Sequence, residues 1–148
     1  MLSPISNADV LTGYVVGITD GDTLTLQVKR QQFKIRIAGI DAPERLQAWG
    51  DRSKTNISRL TLNQTAVADC PKVDRWGLKI CKVNVNAVDI GLEQVTDGMA
   101  WWYGKYAKEL TPEDQSLYEH AELMAKLRRL GLWGDTNPVP PWDFRKEN

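Results

Sequence analysis

Residues 12–37 alternate apolar and polar side chains in three short runs, and this pattern constrains the fold more than any other feature. The runs are separated by two turn sequences, DGDT (20–23) and residues 29–32. Successive side chains of a strand point to opposite faces, so Leu24 and Leu26 share the core side of the second run. Lys34 and Arg36 leave the core side of the third. We therefore predict three successive strands joined by tight turns.

The rest of the chain predicts three helices and two further strands. Residues 46–62 form a weakly amphipathic pattern, 66–70 and 79–85 suit an antiparallel pair, and a second helix begins at Val88. The third helix has Thr111 as N-cap, Pro112 as first residue and Gly131 as its stop. The apolar positions expected to pack are Leu92, Val95 and Met99 on the second helix and Leu117, Ala121 and Met124 on the third.

Five short strands with interspersed helices predict an α+β fold, and strands this short favour a five-stranded OB-fold β-barrel with three α-helices. The length of 148 residues suits one domain, covering 1–148. We expect residues 1–11 to be an N-terminal extension. Residues 134–148 form a tail that we expect to be too rich in proline for regular structure.

Charge and hydropathy limit the partners. The 19 basic side chains balance the 19 acidic ones, so the formal net charge is zero. A nucleic-acid binder that relied on bulk electrostatics would carry a basic excess, so an anionic substrate must be recognised locally. No run of apolar residues is long enough to cross a bilayer, and we expect no membrane partner.

Two segments place acidic residues at strand ends, Asp20 and Asp22 in TDGDT and Asp41 and Glu44 in IDAPE. Turn formation alone would explain either segment, because Asp and Gly favour tight turns. With Arg36 between them, the two segments together indicate more than turn formation.

The sequence resembles the staphylococcal-nuclease-like thermonucleases over nearly its whole length. The segments that carry the resemblance are ITDGDTLTL (18–26), FKIRIAGIDAPE (33–44), DRWG (74–77), VDIGLEQVTDGMAWW (88–102) and LGLW (130–133). The resemblance implies an OB-fold barrel and a Ca²⁺-dependent nuclease that hydrolyses DNA and RNA to 3′-phosphate ends. It implies nucleic-acid substrates, with single strands preferred, and we expect a monomer.

Matching residues carry the family's roles. Asp22, Asp41 and the backbone carbonyl of Ala42 match calcium ligands, with Asp20 in the second coordination sphere; Mg²⁺ or Mn²⁺ would accept the same oxygens. Glu44 matches the carboxylate that orients the attacking water, and Arg36 matches one of two phosphate-binding arginines. Tyr106 matches a tyrosine that lies beside the bound nucleotide in the family. The residue that usually accompanies this tyrosine is replaced by Gly104 in this sequence.

One position departs from the family. The second phosphate-binding arginine should follow the aromatic-glycine turn directly, and Leu78 stands there. Strand parity separates Leu78 from Cys81 and Val83, which favours a lost arginine over ordinary core packing, although both readings stay open. Losing one such donor costs roughly 10²- to 10³-fold in rate. We therefore expect an enzyme of reduced activity in which Arg75 partly substitutes for the missing arginine. Leu78→Arg should raise turnover at least tenfold.

Aromatic residues allow a rival function. Trp76 suits base stacking, whereas Trp101 and Trp102 suit packing beside the second helix. An OB barrel that binds nucleic acid without cleaving it is the alternative, although such a binder would have no reason to keep Asp22, Asp41 and Glu44. We assign no role to His120, the only histidine.

Cys70 and Cys81 flank the DRWG turn symmetrically and could face each other across the strand pair. A disulfide there would indicate an oxidising compartment. We therefore expect an exported protein, periplasmic or secreted, whose leader has been removed. Two reduced thiols in a cytoplasmic protein are the alternative.

Overall fold

A computed structural model describes residues 9–147 of the chain. Within that range the strands are Asp9–Asp20 (β1), Thr23–Val28 (β2), Gln31–Ile37 (β3), Ile40–Asp41 (β4), Thr65–Val73 (β5), Lys79–Val85 (β6), Val88–Asp89 (β7) and Trp101–Trp102 (β8). The α-helices are Gly50–Thr61 (α1), Ile90–Thr96 (α2), Pro112–Leu127 (α3) and Pro141–Glu147 (α4). Two 3₁₀ turns cover Gly104–Glu109 and Gly131–Gly134.

The five long strands close into a barrel. They lie in the order β3-β2-β1-β5-β6 with antiparallel neighbours, and a parallel pairing of β3 with β6 joins the two ends. Ile35 pairs with Lys79, Arg36 with Ile80 and Ile37 with Cys81 across this closure. The α+β fold with a five-stranded OB-type barrel is therefore confirmed.

The barrel interior is filled by the side chains that the alternation predicted. Leu24, Leu26 and Ile35 are fully buried, as are Cys81 and Val83 of β6. Arg36 takes the outer side of β3, where its side chain is 16% exposed. The period of two therefore decides which side chains of β2 and β3 fill the barrel, whereas in β6 the adjacent Ile80 and Cys81 are both buried.

Helix α1 begins later than predicted, at Gly50 instead of residue 46. The preceding residues form a turn instead, in which the N–H of Gln47 bonds the carbonyl of Glu44 at 2.9 Å. Trp49 then adopts a left-handed conformation with φ of 73°, which a helix interior does not tolerate.

Helix α2 is shorter than predicted. Val88 and Asp89 pair with β6 as strand β7, and Asp89 caps the helix by accepting the N–H of Leu92 at 3.2 Å. The chain leaves the helix at Asp97, where Gly98 with φ of 72° permits the turn, so Met99 lies outside it.

Helix α3 begins as predicted, with the N–H of Asp114 bonded to the Thr111 hydroxyl at 3.2 Å. Leu117 was predicted wrongly to pack, since it is 52% exposed while Tyr118 is fully buried, whereas Ala121 packs against the core as predicted. Tyr118 donates to Asp89 at 2.7 Å, and Lys82 of β6 donates to Asp114 at 2.7 Å. These polar contacts orient the helix.

Helix α3 also ends earlier than predicted. Its last residue is Leu127, and the left-handed conformation of Arg129, with φ of 54°, turns the chain away before Gly131.

The ends of the chain correct two further predictions. The tail is not irregular, because α4 starts at Pro141, and proline suits the first helical position since its missing N–H would be unpaired there in any case. Residues 9–11 belong to β1, so they are not an extension; residues 1–8 lie outside the described part. No helix in the described range has the length and apolarity to cross a membrane.

Candidate active site

The turn between β1 and β2 holds the carboxylate of Asp22 against the segment after β4. Its Oδ2 accepts the N–H of Ala42 at 2.8 Å, and its Oδ1 accepts the Thr23 hydroxyl at 2.9 Å. Asp20 accepts the N–H of Asp22 at 3.0 Å, which fixes the turn. The structure thus brings Asp20, Asp22 and Ala42 together.

Two short strands place the carboxylate of Asp41. Asp41 of β4 pairs with Trp101 of β8, so the strand pair fixes the Asp41 backbone. Trp101 packs edge-on against Trp133 at 4.3 Å, and Trp102 packs against Tyr118 at 6.2 Å. The two adjacent tryptophans therefore support the β4–β8 pair by packing.

Burial disfavours the charged forms of the clustered carboxylates. It raises the pKa of Asp22 well above its ordinary value, and the nearby negative charges of Asp20 and Asp41 raise it further. Burial also raises the pKa of Asp41 and that of Glu44, with Arg145 opposing the rise in both. Clustered acidic groups in a poorly solvated place favour a cation among them.

Arg36 lies beside these carboxylates in a defined orientation. Its Nη2 donates to Glu109 Oε2 at 2.6 Å, and its guanidinium lies 4.3 Å from the ring centre of Tyr106. Glu109 also accepts the N–H of Gly39 at 3.0 Å, so it is itself fixed. The sequence analysis missed Glu109, because this residue lies in none of the segments that resemble the family.

A groove of about 520 Å³ extends from Arg36 across the barrel surface. Its basic and aromatic lining residues, Arg36, Lys72, Arg75, Trp76, Lys105, Tyr106 and Lys108, outnumber the acidic Asp74 and Glu109 that line it as well. The Arg75 guanidinium lies 4.6 Å from the ring centre of Trp76, whose side chain is 74% exposed. The three residues predicted to bind substrate, Arg75, Trp76 and Tyr106, therefore share one groove with Arg36.

Leu78 lies just before β6 and is half-buried, outside the buried core. Arg36 and Ile80 are paired, so they point to the same side of the sheet, and Leu78 shares that side with Ile80. Lys79 turns to the other side and contacts Asp9 at 3.0 Å. Leu78 thus faces the side that carries Arg36, as the resemblance implies for the replaced arginine.

Arg145 of α4 is an unpredicted component of the site. Its Nη2 and Nη1 donate to the two carboxylate oxygens of Asp41 at 2.6 and 3.2 Å. Nη1 also lies 3.4 Å from Glu44 Oε2. The tail had been predicted to be irregular, and the proline at residue 141 was the available signal for a helix there.

The oxygen donors of the site fit a hard cation. Asp22, Asp41 and the Ala42 carbonyl are the ligand types that Ca²⁺ prefers. Among residues 9–147, no three His, Cys, Asp or Glu side chains form a metal cage. A cation here would therefore need water or phosphate oxygens as further ligands, and it would compete with Arg145 for Asp41.

The remaining predicted residues lie away from the carboxylates. Cys70 and Cys81 form a disulfide between β5 and β6, with Cα atoms 4.1 Å apart. His120 lines a surface depression made of α3 residues alone. Neither feature supplies a group to the site.

Comparison with known proteins agrees with this architecture. Residues 34–135 match the family described as "Staphylococcal nuclease homologue". Micrococcal nuclease of Shigella flexneri is 38% identical over 148 residues, which cover 90% of this chain and 80% of the relative. An "Uncharacterized endonuclease" of Haemophilus influenzae is 37% identical (90% and 72% covered), and Protein ParB of Escherichia coli is 33% identical (93% and 81%). The chain therefore belongs to the staphylococcal nuclease family.

Proposed function

We propose that this protein is a nuclease that hydrolyses DNA and RNA to 3′-phosphate products with the help of one Ca²⁺ ion. Family membership and the nuclease names of its relatives support a nuclease. The observation that carries the proposal is the convergence of Asp22, Asp41, Glu44 and Arg36 at one end of the barrel.

Arg36 would bind the scissile phosphate. A guanidinium can bond two phosphate oxygens at once, and the contacts to Glu109 and Tyr106 limit the rotamers of this side chain. Less entropy is then lost when substrate binds.

Glu44 would orient the attacking water and accept its proton. Its side chain is 35% exposed, so water can reach the carboxylate. Its N–H bonds Gln47 Oε1 at 3.0 Å, which holds the segment in place at the start of α1. A base must lie within hydrogen-bond reach of the proton that it removes, and a fixed segment satisfies this requirement.

Asp22, Asp41 and the Ala42 carbonyl would hold the ion, with Asp20 behind them. When bound, Ca²⁺ would polarise a phosphoryl oxygen and offset the charge that develops on it. The hydrogen bonds that Asp22 accepts from Ala42 and Thr23 already orient its carboxylate before any ion binds.

The basic groove would bind the nucleotides that flank the cleaved bond. The exposed ring of Trp76 could stack on an unpaired base, which would favour single strands, while Lys72, Lys105 and Lys108 would contact the backbone phosphates. This local basic surface explains how a chain with zero net charge could bind a polyanion.

The substitution at Leu78 predicts reduced activity, because one guanidinium is missing from the side of the sheet that carries Arg36. The same groove favours a second candidate function, a non-catalytic nucleic-acid-binding domain. The retained carboxylates argue for catalysis, since negative charge at the site weakens binding of a polyanion unless a cation compensates it.

The disulfide supports our proposal of an exported protein, periplasmic or secreted, since such bonds persist in oxidising compartments. We propose that the protein acts as a monomer.

The test is hydrolysis of single-stranded DNA and RNA with Ca²⁺ or chelator, run beside Glu44→Gln. We expect Ca²⁺-dependent cleavage and loss of at least about 10²-fold in Glu44→Gln, with binding retained. Glu113→Gln, an exposed glutamate at the start of α3, is the matched control and should cleave normally. Product ends that a polymerase extends only after phosphatase treatment would identify 3′-phosphates. Binding without cleavage under any of these conditions would assign the protein to the non-catalytic class.

A further inference from the structure

Helix α4 is held against the active site by aromatic contacts. The ring of Trp142 stacks on Tyr103 with 4.2 Å between centres and 5° between planes, and meets Trp101 edge-on at 5.3 Å. Trp101 is the backbone partner of Asp41, so the surface that receives α4 is part of the framework that positions Asp41. Arg145, one helical turn after Trp142 on the same face, is thereby brought to the site.

The segment that leads into α4 contacts the residues just before α1. Gln47 donates its side-chain amide to the carbonyl of Val139, and the indole N–H of Trp49 donates to Asp135 at 2.8 Å. Pro141 is buried. The position of Arg145 is therefore determined by packing around the helix as well as by its own ion pair.

The guanidinium of Arg145 has the geometry of an anion-binding group. It contacts both oxygens of Asp41 in a bidentate manner and lies 3.4 Å from Glu44. A guanidinium has five N–H donors, and the bonds to Asp41 use two of them. The side chain is 40% exposed, so a ligand from solvent can approach it.

Arg145 also complements Arg36. Both guanidinium groups act electrostatically on Asp41 and on Tyr106, so both lie near this pair. Arg36 is bonded to Glu109, while the turn before β6 offers Leu78 where the family has a second arginine. The site thus contains two guanidinium groups, although one reaches it from a different element.

We infer that Arg145 is a second phosphate-binding side chain of this active site, supplying from α4 the guanidinium that Leu78 cannot supply. The inference rests on the proposed function, since it assigns a residue that binds the phosphodiester of the same substrates. It also means that Leu78 reduces activity less than the loss of a sole arginine would.

A purely structural role makes different predictions. If Arg145 only neutralised Asp41, lysine would replace it well, because a single positive charge would suffice. A phosphate-binding role needs the planar fork, which lysine lacks. Arg145→Lys therefore separates the two roles.

The experiment measures binding of a fluorescent single-stranded oligonucleotide in chelator by anisotropy, and cleavage with Ca²⁺ in parallel. We expect Arg145→Ala to weaken binding by about tenfold and turnover by roughly 10²-fold, because one charge-assisted phosphate contact is lost. On a logarithmic scale, Arg145→Lys should restore less than half of the binding and turnover that Arg145→Ala loses. Lys146→Ala, the neighbouring charge on α4, should change either quantity less than about twofold, as expected for an exposed charge.

Rescue is the decisive comparison. Leu78→Arg should raise turnover strongly in the Arg145→Ala background and much less in the intact chain, since the two guanidinium groups would serve the same phosphate. Thermal unfolding of each variant checks that the barrel is intact.

Several outcomes would overturn the inference. Unchanged or tighter binding in Arg145→Ala, full activity in Arg145→Lys, or an equal gain from Leu78→Arg in both backgrounds would each do so. If the unmodified protein neither binds nor cleaves nucleic acid, the proposed function fails and this inference fails with it. If it cleaves normally and Arg145→Ala does too, only the inference fails.

Discussion

The side-chain amide of Gln94 donates a hydrogen bond to the carbonyl oxygen of Gly21 at 2.8 Å and joins α2 to the turn that carries Asp22. The same amide donates to the carbonyl of Ser53 at 3.1 Å, and Gln94 is fully buried. A Cβ on Gly21 would lie 1.8 Å from the Ser53 hydroxyl, so α1 packs directly beneath this turn. One buried glutamine therefore links two helices to the acidic turn.

We predict that Gln94→Leu destabilises the protein by about 2–4 kcal/mol, because the carbonyls of Gly21 and Ser53 lose their buried donor. Urea unfolding followed by tryptophan fluorescence measures the change. Gln115→Leu is the control: Gln115 donates one hydrogen bond to Leu110 and is only partly buried, so its loss should cost under about 1 kcal/mol. Equal effects of the two variants would contradict the special position of Gln94.

Trp76→Ala should weaken binding of single-stranded oligonucleotides by about 1–3 kcal/mol, the range for loss of one base-stacking contact. Its melting temperature should stay near that of the parent, because the ring is 74% exposed. Anisotropy titration in chelator measures the binding. Leu127→Ala, which removes an exposed apolar side chain from α3, should leave binding unchanged.

Removal of the disulfide should cost about 3 kcal/mol of unfolding free energy, as the entropy of closing a loop of this length predicts. The bridge joins residues separated by 11 positions. The measurement compares urea unfolding of oxidised protein, reduced protein and the double variant Cys70→Ala with Cys81→Ala. A reduced protein as stable as the oxidised one would show that the barrel contacts suffice alone.

Glu93 predicts a pH dependence of stability. A hydrogen bond with Asp97, followed by burial, raises the pKa of Glu93 to about 7. Folding thus favours the protonated form: the stabilisation is complete below the ordinary pKa of a glutamate and is lost as pH rises through about 7. The free energy of unfolding should therefore fall by about 0.5–1 kcal/mol between about pH 5 and about pH 8, a small change because Glu93 is partly exposed. The melting temperature should fall with it.

Glu93→Gln should flatten that profile, because an amide donates to Asp97 without a bound proton. It should also be the more stable form at about pH 8, where the native glutamate and Asp97 are both charged one helical turn apart. Glu119→Gln, on the exposed side of α3, should keep the native profile. If Glu93→Gln kept the pH dependence of stability of the native protein, that dependence would come from other groups.

The alternation of residues 12–37 predicted the barrel strands because a period of two decides which side chains are buried. Helix ends were harder to predict. Trp49 and Arg129 adopt left-handed conformations, which residues other than glycine rarely take, so the residue types at these positions did not indicate where a helix begins or ends. Leu117 of α3 was misjudged because apolar spacing does not reveal the hydrogen bonds of Asp114 and Tyr118 that help to orient the helix.

The site was predictable where its residues lie in short motifs. DGDT and DAPE contain Asp22, Asp41 and Glu44, and the structure brings both segments together. Glu109 and Arg145 come from distant parts of the chain and contact the site only through the fold. Their roles depend on contacts across many residues, which a single sequence does not reveal.

Cys81 occupies the junction where the barrel closes. It pairs with Ile37 across β3 and β6, its carbonyl accepts the N–H of Ala38 at 2.9 Å, and its sulfur is bonded to Cys70 of β5. Pairings between segments far apart in sequence form slowly, whereas a hairpin forms quickly. When the oxidised protein refolds, the intact cross-link already fixes one side of the closing seam before β3 reaches it. The cross-link thus shortens the search for the closed barrel and should make refolding faster than in the reduced protein.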